Sequence, residues 1–434
     1  MGSVPPSMRK NTLVRPGILT LAVATSGWAA ARWLGCRGEA FWLLFPAWVA
    51  LGAALGVVHF PAQPARSARA QWAVRAVLVL LPTGIYLAMM TLLRGRFDAG
   101  EWMLAVYFFA FSLEFVLLYV FRAGELLAER SARGRSRAAA AALRIGAKIS
   151  VYALIVPLLF SAFGLHRIKI PPGPIDPELE LVAEEVSFPS RGPEPRRLVG
   201  SFFPATGRDG APPRGTILAC HGVAANRADL LGIVWLLHGE GFQVLTFDFR
   251  GHGESDGHTV TYGFEERKDV QGAYDFLLSR SDVDPERLFA LGVSMGAASL
   301  LQALPAMEKV RAAVCDSAFV DLESMVRHQY RVLPGPAVTI LAELTGFFGW
   351  LETGIHFRDV SPLRALETIH VPILFFHGAE DRVVPAEHSR RLHAAYAGPK
   401  LLRIEEEAGH GGASLANPTR YGFEVAKFFD RAAR

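Results

Sequence analysis

Residues 292–296, which read Gly-Val-Ser-Met-Gly, are the stretch of this sequence best suited to chemistry. They follow a short apolar run and open into an alanine- and leucine-rich stretch, so the pattern predicts a strand, a sharp turn and a helix. On such a turn the hydroxyl of Ser294 is exposed at the helix N-terminus, and the flanking glycines leave room for a strained backbone. Glycine and serine are common residues, so the motif predicts a nucleophile only if the chain also supplies a base and an acid.

The residues that can activate Ser294 follow it in the order acid, then base. His410 lies between two glycines in the loop after the last predicted strand, and small neighbours let an imidazole approach the serine. Asp381 follows the preceding predicted strand, where a carboxylate can hold the imidazole in the tautomer that accepts the serine proton. Asp316 follows another predicted strand and is the alternative acid, although it can also simply cap the local backbone. We therefore predict a triad of Ser294, His410 and Asp381.

Two backbone N–H groups are predicted to bind the oxyanion of a tetrahedral intermediate. The N–H of Met295 directly follows the nucleophile, which is the usual position of one such donor. The second donor is expected in the loop after the predicted strand at 216–220, and we assign it to Val223, with Ala224 as the alternative. His221 is expected to brace the same loop. A reaction of this kind requires no metal ion and no cofactor.

The elements that must position these residues alternate between strands and helices from about residue 181 onward. The first two predicted strands are expected to be antiparallel. The later ones are near-continuous apolar runs, which favours a parallel sheet with helices on both faces. The predicted strands are 184–188, 197–203, 216–220, 243–247, 288–291, 310–315, 373–376 and 401–404, and the predicted helices are 228–240, 265–279, 297–306, 386–396 and 418–433.

Together these residues resemble the alpha/beta-hydrolase superfamily of serine hydrolases. Residues 247–255, Phe-Asp-Phe-Arg-Gly-His-Gly-Glu-Ser, are similar to the Asp-x-Arg-Gly-x-Gly-x-Ser loop of that family. Residues 262–270 are similar to the segment that leads into its next helix. The resemblance covers about residues 180–432 and is greatest to the group of monoacylglycerol lipases, serine aminopeptidases and ABHD-type proteins. It implies an alpha/beta-hydrolase fold, an acyl-enzyme reaction, and structural roles for the charged residues of both segments.

The N-terminal part of the chain has a different composition. Hydrophobic residues make up 51% of the sequence and charged residues 20%, and the long uncharged apolar runs lie before residue 170. Runs of about 20 apolar residues are typical of membrane spans. We predict an all-α transmembrane domain at 1–169, a proline-rich linker at 170–180 and the hydrolase domain at 181–434. The predicted spans are 17–34, 41–60, 74–93, 102–121 and 149–166.

The basic residues predict how these spans are oriented. The loop at 122–148 is rich in arginine, and such loops stay on the cytoplasmic side. One further span then places the hydrolase domain on the non-cytoplasmic side of an integral membrane protein. The first apolar segment can instead be a cleaved signal peptide, without changing that result. Because the formal net charge of +4 reflects these loop arginines, we expect a lipid bilayer rather than nucleic acid as a partner.

An apolar insertion at about 320–368 is expected to form a cap over the acyl pocket. Its centre, 332–355, can alternatively dip into the bilayer interface or pack as an ordinary helix on the core.

The leading hypothesis from the sequence is a membrane-anchored serine hydrolase that cleaves carboxylic esters of lipids or other apolar acyl groups. The alternatives are a serine peptidase or aminopeptidase that uses the same triad, or a non-catalytic membrane scaffold. A peptidase that recognises an amine needs acids at the pocket, and Glu265 and Glu266 are the only tempting pair. We expect these two glutamates to be a solvated helix start instead.

Overall fold

The computed structural model describes residues 169–205 and 211–434, together with residues 153, 156–158, 160–162 and 164–166. All of them belong to one compact unit, Tyr152–Arg434. The predicted spans 17–34, 41–60, 74–93 and 102–121 lie outside the described residues, and the span at 149–166 is described only in part. Within the described residues, no helix combines the length and hydropathy that a membrane crossing needs.

The described residues form an eight-stranded sheet in the order β1-β2-β4-β3-β5-β6-β7-β8. β1 is antiparallel to β2, and β2 is antiparallel to β4. From β4 onward all neighbouring strands are parallel. The strands are β1 Glu184–Pro189, β2 Arg197–Phe203, β3 Thr216–Cys220, β4 Gln243–Phe247, β5 Leu288–Val293, β6 Val310–Asp316, β7 Ile373–Gly378 and β8 Lys400–Glu405.

Helices cover both faces of this sheet. They are α1 Leu231–Gly239, α2 Glu266–Ser279, α3 Met295–Ala303, α4 Leu322–Gln329, α5 Gly335–Thr353, α6 Pro362–Ala365, α7 Glu387–Ala395, α8 Ala413–Ala416 and α9 Pro418–Ala432. Most buried apolar side chains of α2, α3 and α7 belong to one cluster, and those of α1 and α9 belong to a second.

The alternating direction of side chains along the central strands explains why the sheet has one apolar cluster on each face. In β3, Leu218 and Cys220 belong to the first cluster, whereas Ile217 and Ala219 belong to the second. Successive side chains of a strand point to opposite faces, so a strand covered on both sides must be apolar throughout. This burial also explains the cysteines: Cys220 and Cys315 are inaccessible to solvent and pack as small hydrophobic residues.

The predicted α/β fold class, with a mostly parallel sheet and helices on both faces, is therefore confirmed for the described residues. Every predicted strand is present, and its ends differ from the observed ends by no more than two residues. The antiparallel entry of the first two strands is also confirmed. The predicted transmembrane domain remains a prediction.

The insertion between β6 and β7 carries α4 and α5. Asp321 caps α4 by accepting a hydrogen bond from the N–H of Ser324 at 2.6 Å, and α5 ends at Gly354, whose φ is 70°. The two helices share a small apolar cluster of their own, formed by Val326, Tyr330, Ala342 and Phe357. The insertion thus has a core separate from that of the sheet.

Candidate active site

Ser294 lies on a strained turn between β5 and α3. Its φ is +55° and its ψ is −118°, a conformation that is costly for any residue except glycine. The flanking glycines are required for close packing: a Cβ on Gly292 would lie 2.6 Å from the nitrogen of Ala297, and one on Gly296 would lie 2.2 Å from the carbonyl oxygen of Cys220. The predicted strand, turn and helix at this motif are all present.

The structure brings Ser294, His410 and Asp381 into one hydrogen-bonded chain. Nε2 of His410 is 2.8 Å from Oγ of Ser294, and Nδ1 is 2.7 Å from Oδ2 of Asp381. A carboxylate can only accept, so Nδ1 donates its proton to Asp381 and Nε2 is left to accept the serine proton. This arrangement can transfer a proton from the hydroxyl to the imidazole while the carboxylate holds the ring in place.

Asp381 is buried, yet it is held in its charged form. Its Oδ1 accepts the N–H groups of Val383 at 2.9 Å and Val384 at 2.8 Å, and its Oδ2 accepts from His410 and lies 3.2 Å from Nε2 of His377. Burial acts to raise the pKa of Asp381, but the hydrogen bonds from His377, His410 and Val384 outweigh it and keep the pKa well below its usual range.

His377 is a site residue that sequence reasoning did not assign. Its Nε2 is 2.7 Å from the carbonyl oxygen of Val384 and its Nδ1 is 2.7 Å from Oγ of Ser389. Because a carbonyl can only accept, Nε2 carries a proton. The N–H group at Nε2 is shared between the carbonyl oxygen of Val384 and the carboxylate of Asp381. The one signal in the sequence is its position, since it lies within the end of β7, four residues before Asp381.

Asp316, the alternative acid, lies at the end of β6 and is fully buried. Its Oδ1 accepts a hydrogen bond from Oγ of Ser317 at 2.9 Å, and its Oδ2 has no hydrogen-bond partner in the described part of the chain. Burial raises the pKa of Asp316 to about 6. Oγ of Ser317 in turn accepts the N–H of Gly411 at 3.0 Å, so Asp316 supports the loop of His410 rather than contacting the imidazole. It does not cap the backbone through its carboxylate.

The two predicted oxyanion donors lie at the same cavity as Ser294. Met295 is the first residue of α3, and Val223 lines the cavity with it. The N–H of the alternative donor, Ala224, lies 3.3 Å from Nε2 of His252 and donates to it. This hydrogen bond favours Val223 over Ala224 as the second donor.

His221 braces the loop that carries Val223. Its Nε2 accepts the N–H of Phe249 at 3.1 Å, and its Nδ1 lies 2.7 Å from the carbonyl oxygen of Gly222. Burial, together with the neighbouring His252, lowers the pKa of His221 to about 3, so the ring is neutral. The loop lies close to the nucleophile, since a Cβ on Gly222 would be 3.4 Å from Cβ of Ser294.

A cavity of about 370 Å³ opens beside Ser294. Its walls come from α3, from the insertion helices α4 and α5, and from the helical residues that precede the sheet. None of the described residues that line it is Asp, Glu, Lys or Arg. The apolar lining includes Phe160, Leu165, Val223, Met295, Phe319, Leu322, Met325, Val326, Ile355, Phe357, Val360, Val383 and Val384.

The expectation of a solvated helix start at Glu265 and Glu266 is wrong for Glu266. Glu266 is fully buried, and its carboxylate accepts from the N–H and Oγ1 of Thr261 and from the N–H of Gly263, at 2.7 to 2.8 Å. The tight turn at 261–263 buries backbone donors that a carboxylate must satisfy. Glu265 is partly exposed and binds Arg250 at 2.8 Å and Lys268 at 2.6 Å.

The charged residues of the two family-like segments hold loops together. Arg250 binds Asp269 at 2.7 Å, and both side chains are buried. Asp248 accepts the N–H of Arg227 at 2.7 Å and also pairs with its guanidinium. These contacts fit the structural roles that the resemblance implies. Across the described residues, no group of three or more His, Cys, Asp or Glu side chains is arranged to hold a metal ion.

Comparison with known proteins gives a family match and several relatives. A family described as serine aminopeptidase, S33, matches residues 211–354. Protein YqkD of Bacillus subtilis is 33% identical over 222 residues, which cover 50% of this chain and 71% of YqkD. Protein Rv2307c of Mycobacterium tuberculosis is 30% identical over 249 residues, covering 53% of this chain and 80% of the relative.

Among solved structures, the Pyrococcus furiosus esterase Pf2001 is similar, with a TM-score of 0.49 and 20% identity. The match covers 62% of this chain and 97% of the esterase. The strand order, the strained serine turn, the family match and the relatives agree with one another, and the chain belongs to the serine hydrolases of the alpha/beta-hydrolase superfamily.

Proposed function

We propose that this protein is a serine esterase that cleaves carboxylic esters with an apolar acyl group. Oγ of Ser294 attacks the ester carbonyl carbon, and His410 takes the serine proton and passes it to the departing alcohol. Asp381 orients His410 and stabilises its charged form. The N–H groups of Val223 and Met295 bind the oxyanion. Water, activated by the same histidine, then releases the carboxylic acid and restores the serine.

The observation that carries this proposal is the uncharged lining of the cavity beside Ser294. An ammonium or carboxylate group of a substrate that enters an apolar cavity loses its hydration, and only an opposite charge or several hydrogen bonds can offset that cost. The described lining offers apolar side chains and a few hydroxyl and amide groups. An apolar acyl chain needs no such compensation, and its burial is favourable.

An aminopeptidase is the second candidate, because the matching family is described by that name. Recognition of a free α-amine needs a carboxylate near the nucleophile. The two glutamates that the sequence offered for this role are engaged elsewhere: Glu266 with Thr261 and Gly263, and Glu265 with Arg250 and Lys268. These contacts favour the ester over the peptide substrate.

Labelling with a fluorophosphonate tests the nucleophile. The full-length protein is expected to be labelled in membranes or detergent, whereas Ser294→Ala is not. Ser299→Ala is a matched control, because Ser299 is buried in the same helix and donates to the carbonyl oxygen of Met295. Absence of labelling in the wild type contradicts the enzyme proposal and supports the non-catalytic scaffold.

A substrate series separates the esterase from the peptidase. We expect p-nitrophenyl esters of apolar acids to be cleaved with a kcat/KM at least a hundredfold above that for aminoacyl p-nitroanilides, roughly the difference that leaving one charge uncompensated produces. Preference for the anilides, and competition by free amino acids, would instead identify an aminopeptidase.

We further propose that the hydrolase domain is tethered to a membrane. Two observations support this proposal: the long apolar runs before residue 122, with the arginine-rich loop at 122–148, and an exposed apolar face on α5. On that face, Ile340 is 57%, Phe347 48% and Leu351 59% exposed. The full-length protein should stay in the membrane pellet after a carbonate wash at high pH, and its release into the supernatant contradicts the tether.

A further inference from the structure

We infer that the helical residues 160–162, 164 and 165, which precede the sheet, form one wall of the acyl pocket and limit the length of the acyl chain; this inference rests on the proposed esterase function. Phe160, Ser161, Gly164 and Leu165 all line the cavity that contains Ser294. They lie outside the residues that match the family, 211–354. Chain-length selection would therefore come from a segment outside the region that matches the family.

Hydrogen bonds to two of its backbone carbonyls fix this segment, called here the pocket wall, against the loop that precedes α2. The hydroxyl of Tyr262 donates to the carbonyl oxygen of Gly164 at 3.0 Å, and the N–H of Val260 donates to that of Leu165 at 2.8 Å. Tyr262 itself has a φ of +56°, a strained value for a residue with a side chain. A strained backbone of this kind persists where surrounding contacts impose it. The contacts between Tyr262 and the pocket wall therefore have a defined geometry.

Side chains join the pocket wall to the insertion helices on its other side. The ring of Phe160 packs against that of Tyr330, with centroids 5.6 Å apart. Ser161 is buried, with Oγ 3.4 Å from the position that a Cβ on Gly349 would take. Just beyond the wall, the imidazole of His166 contacts the carboxylate of Glu352 in α5. The wall therefore closes the space between the loop at 258–262 and α5.

The size of the cavity sets the scale of the chain it can hold. If one methylene takes about the volume of one water molecule in the liquid, roughly 30 Å³, then 370 Å³ holds about a dozen such groups. Part of that space must receive the ester group and the start of the alcohol. We therefore expect an optimum among medium-length acyl chains, on the order of eight to ten carbons.

Gly164 is the position at which a side chain would shorten this cavity. A Cβ there would lie 3.5 Å from the hydroxyl of Tyr262, which is ordinary van der Waals contact, so a larger residue is tolerated at the backbone. Its remaining atoms would occupy space that an acyl chain needs. Phe160→Ala acts in the opposite direction, because it removes apolar surface from the same wall.

The experiment compares full-length wild type, Gly164→Leu, Phe160→Ala and the control Leu158→Ala on p-nitrophenyl acetate, butyrate, octanoate, laurate and palmitate. Leu158 is 46% exposed and does not line the cavity, so it tests general effects of changing this helix. Each variant is first titrated with a fluorophosphonate to give the concentration of active serine, which separates misfolding from altered specificity.

For Gly164→Leu we expect the optimum to move to butyrate, with kcat/KM for laurate about tenfold lower and that for acetate within about twofold of wild type. For Phe160→Ala the enlarged cavity should accept a longer chain, so we expect the ratio of kcat/KM for laurate to that for octanoate to rise about fivefold to tenfold, again without loss on acetate. A chain-length profile unchanged in both variants, or an equal loss on every ester, overturns the inference while leaving the esterase proposal intact. No turnover of any ester by labelled wild type would overturn the esterase proposal itself.

Discussion

Two buried carboxyl groups follow neighbouring strands of the sheet, and they differ sharply in what surrounds them. Asp316 ends β6, and Asp381 follows the end of β7 by three residues. Both side chains are inaccessible to solvent. Asp381 is bound by two backbone N–H groups and by His410, with His377 close by, whereas Asp316 accepts one hydroxyl and has an oxygen without a partner among the described residues.

The difference shows that donors, rather than burial, decide which carboxyl can serve as the acid of the triad. Burial acts to raise the pKa of both groups, but only at Asp381 do hydrogen bonds outweigh it and hold the pKa below its usual range. The carboxylate that stabilises an imidazolium must also be held against the ring, and His410 donates to Asp381 at 2.7 Å. Asp316 accepts its hydrogen bond from Ser317 instead and supports the loop of His410 through Ser317 and Gly411.

The largest effect is expected from Asp381→Asn. The amide cannot take the place of the carboxylate as an acceptor for Nδ1 without reorienting, and it carries no charge to stabilise the imidazolium. We expect kcat/KM on p-nitrophenyl octanoate to fall by on the order of 10³ to 10⁴. Circular dichroism of the variant checks that the fold is retained, and a loss smaller than tenfold in a folded variant contradicts the assignment of Asp381.

An intermediate effect is expected from His377→Leu, which removes one donor from Asp381. The pKa of Asp381 should rise, since the hydrogen bond from His377 helps to lower it. Asp381 then holds its charge and its position less well, so we expect kcat/KM to fall by about tenfold at neutral pH.

His377→Gln is the matched variant for that measurement, because its amide can still donate a hydrogen bond to Asp381. It should restore most of the activity. If His377→Gln loses as much activity as His377→Leu, His377 has only a packing role.

The smallest effect on activity, and a distinct effect on stability, is expected from Asp316→Asn. The folded protein holds the proton of Asp316 up to about pH 6, whereas the unfolded chain releases it near the ordinary value of 3.8. As pH rises from about 4 to 6, this one group therefore lowers the free energy of unfolding of the wild type by up to about 3 kcal/mol. Above about pH 6 its contribution is constant. Asp316→Asn lacks this dependence and keeps kcat/KM within about threefold.

Thermal unfolding of both proteins between pH 4 and pH 7 measures that difference. The Tm of Asp316→Asn minus that of the wild type should increase by up to about 6 to 12 °C across the interval. An identical pH dependence of Tm in the two proteins would show that Asp316 is ionised alike in the folded and unfolded chains.

Much of this arrangement could be predicted from the sequence, because its signals are local. Buried parallel strands are continuous apolar runs, and β2, β3 and β4 begin and end at the predicted residues. The order of Ser294, Asp381 and His410 along the chain follows from where parallel strands end. The sequence favours Asp381 over Asp316 by its position and because Asp316 can simply cap the local backbone, and the structure adds the donors that distinguish them.

What could not be predicted depends on contacts between distant segments. The hydrogen bonds of His377 to Val384 and Ser389 need a loop path that spacing does not reveal. Glu266 was expected to be solvated because a pair of glutamates at a helix start usually is, and only the turn at 261–263 requires it inside. Residues 160–165 were predicted as part of a membrane span on hydropathy, which does not distinguish contact with lipid from contact with a pocket.

The most direct test of the central claim is the second-order rate constant for fluorophosphonate labelling of Ser294 in Asp381→Asn and Asp316→Asn, measured side by side with the wild type. This rate reports the nucleophilicity of the serine without requiring the natural substrate. We predict labelling at least a hundredfold slower in Asp381→Asn and within about threefold of the wild type in Asp316→Asn. Slower labelling in Asp316→Asn than in Asp381→Asn would contradict the account and identify Asp316 as the acid of the triad.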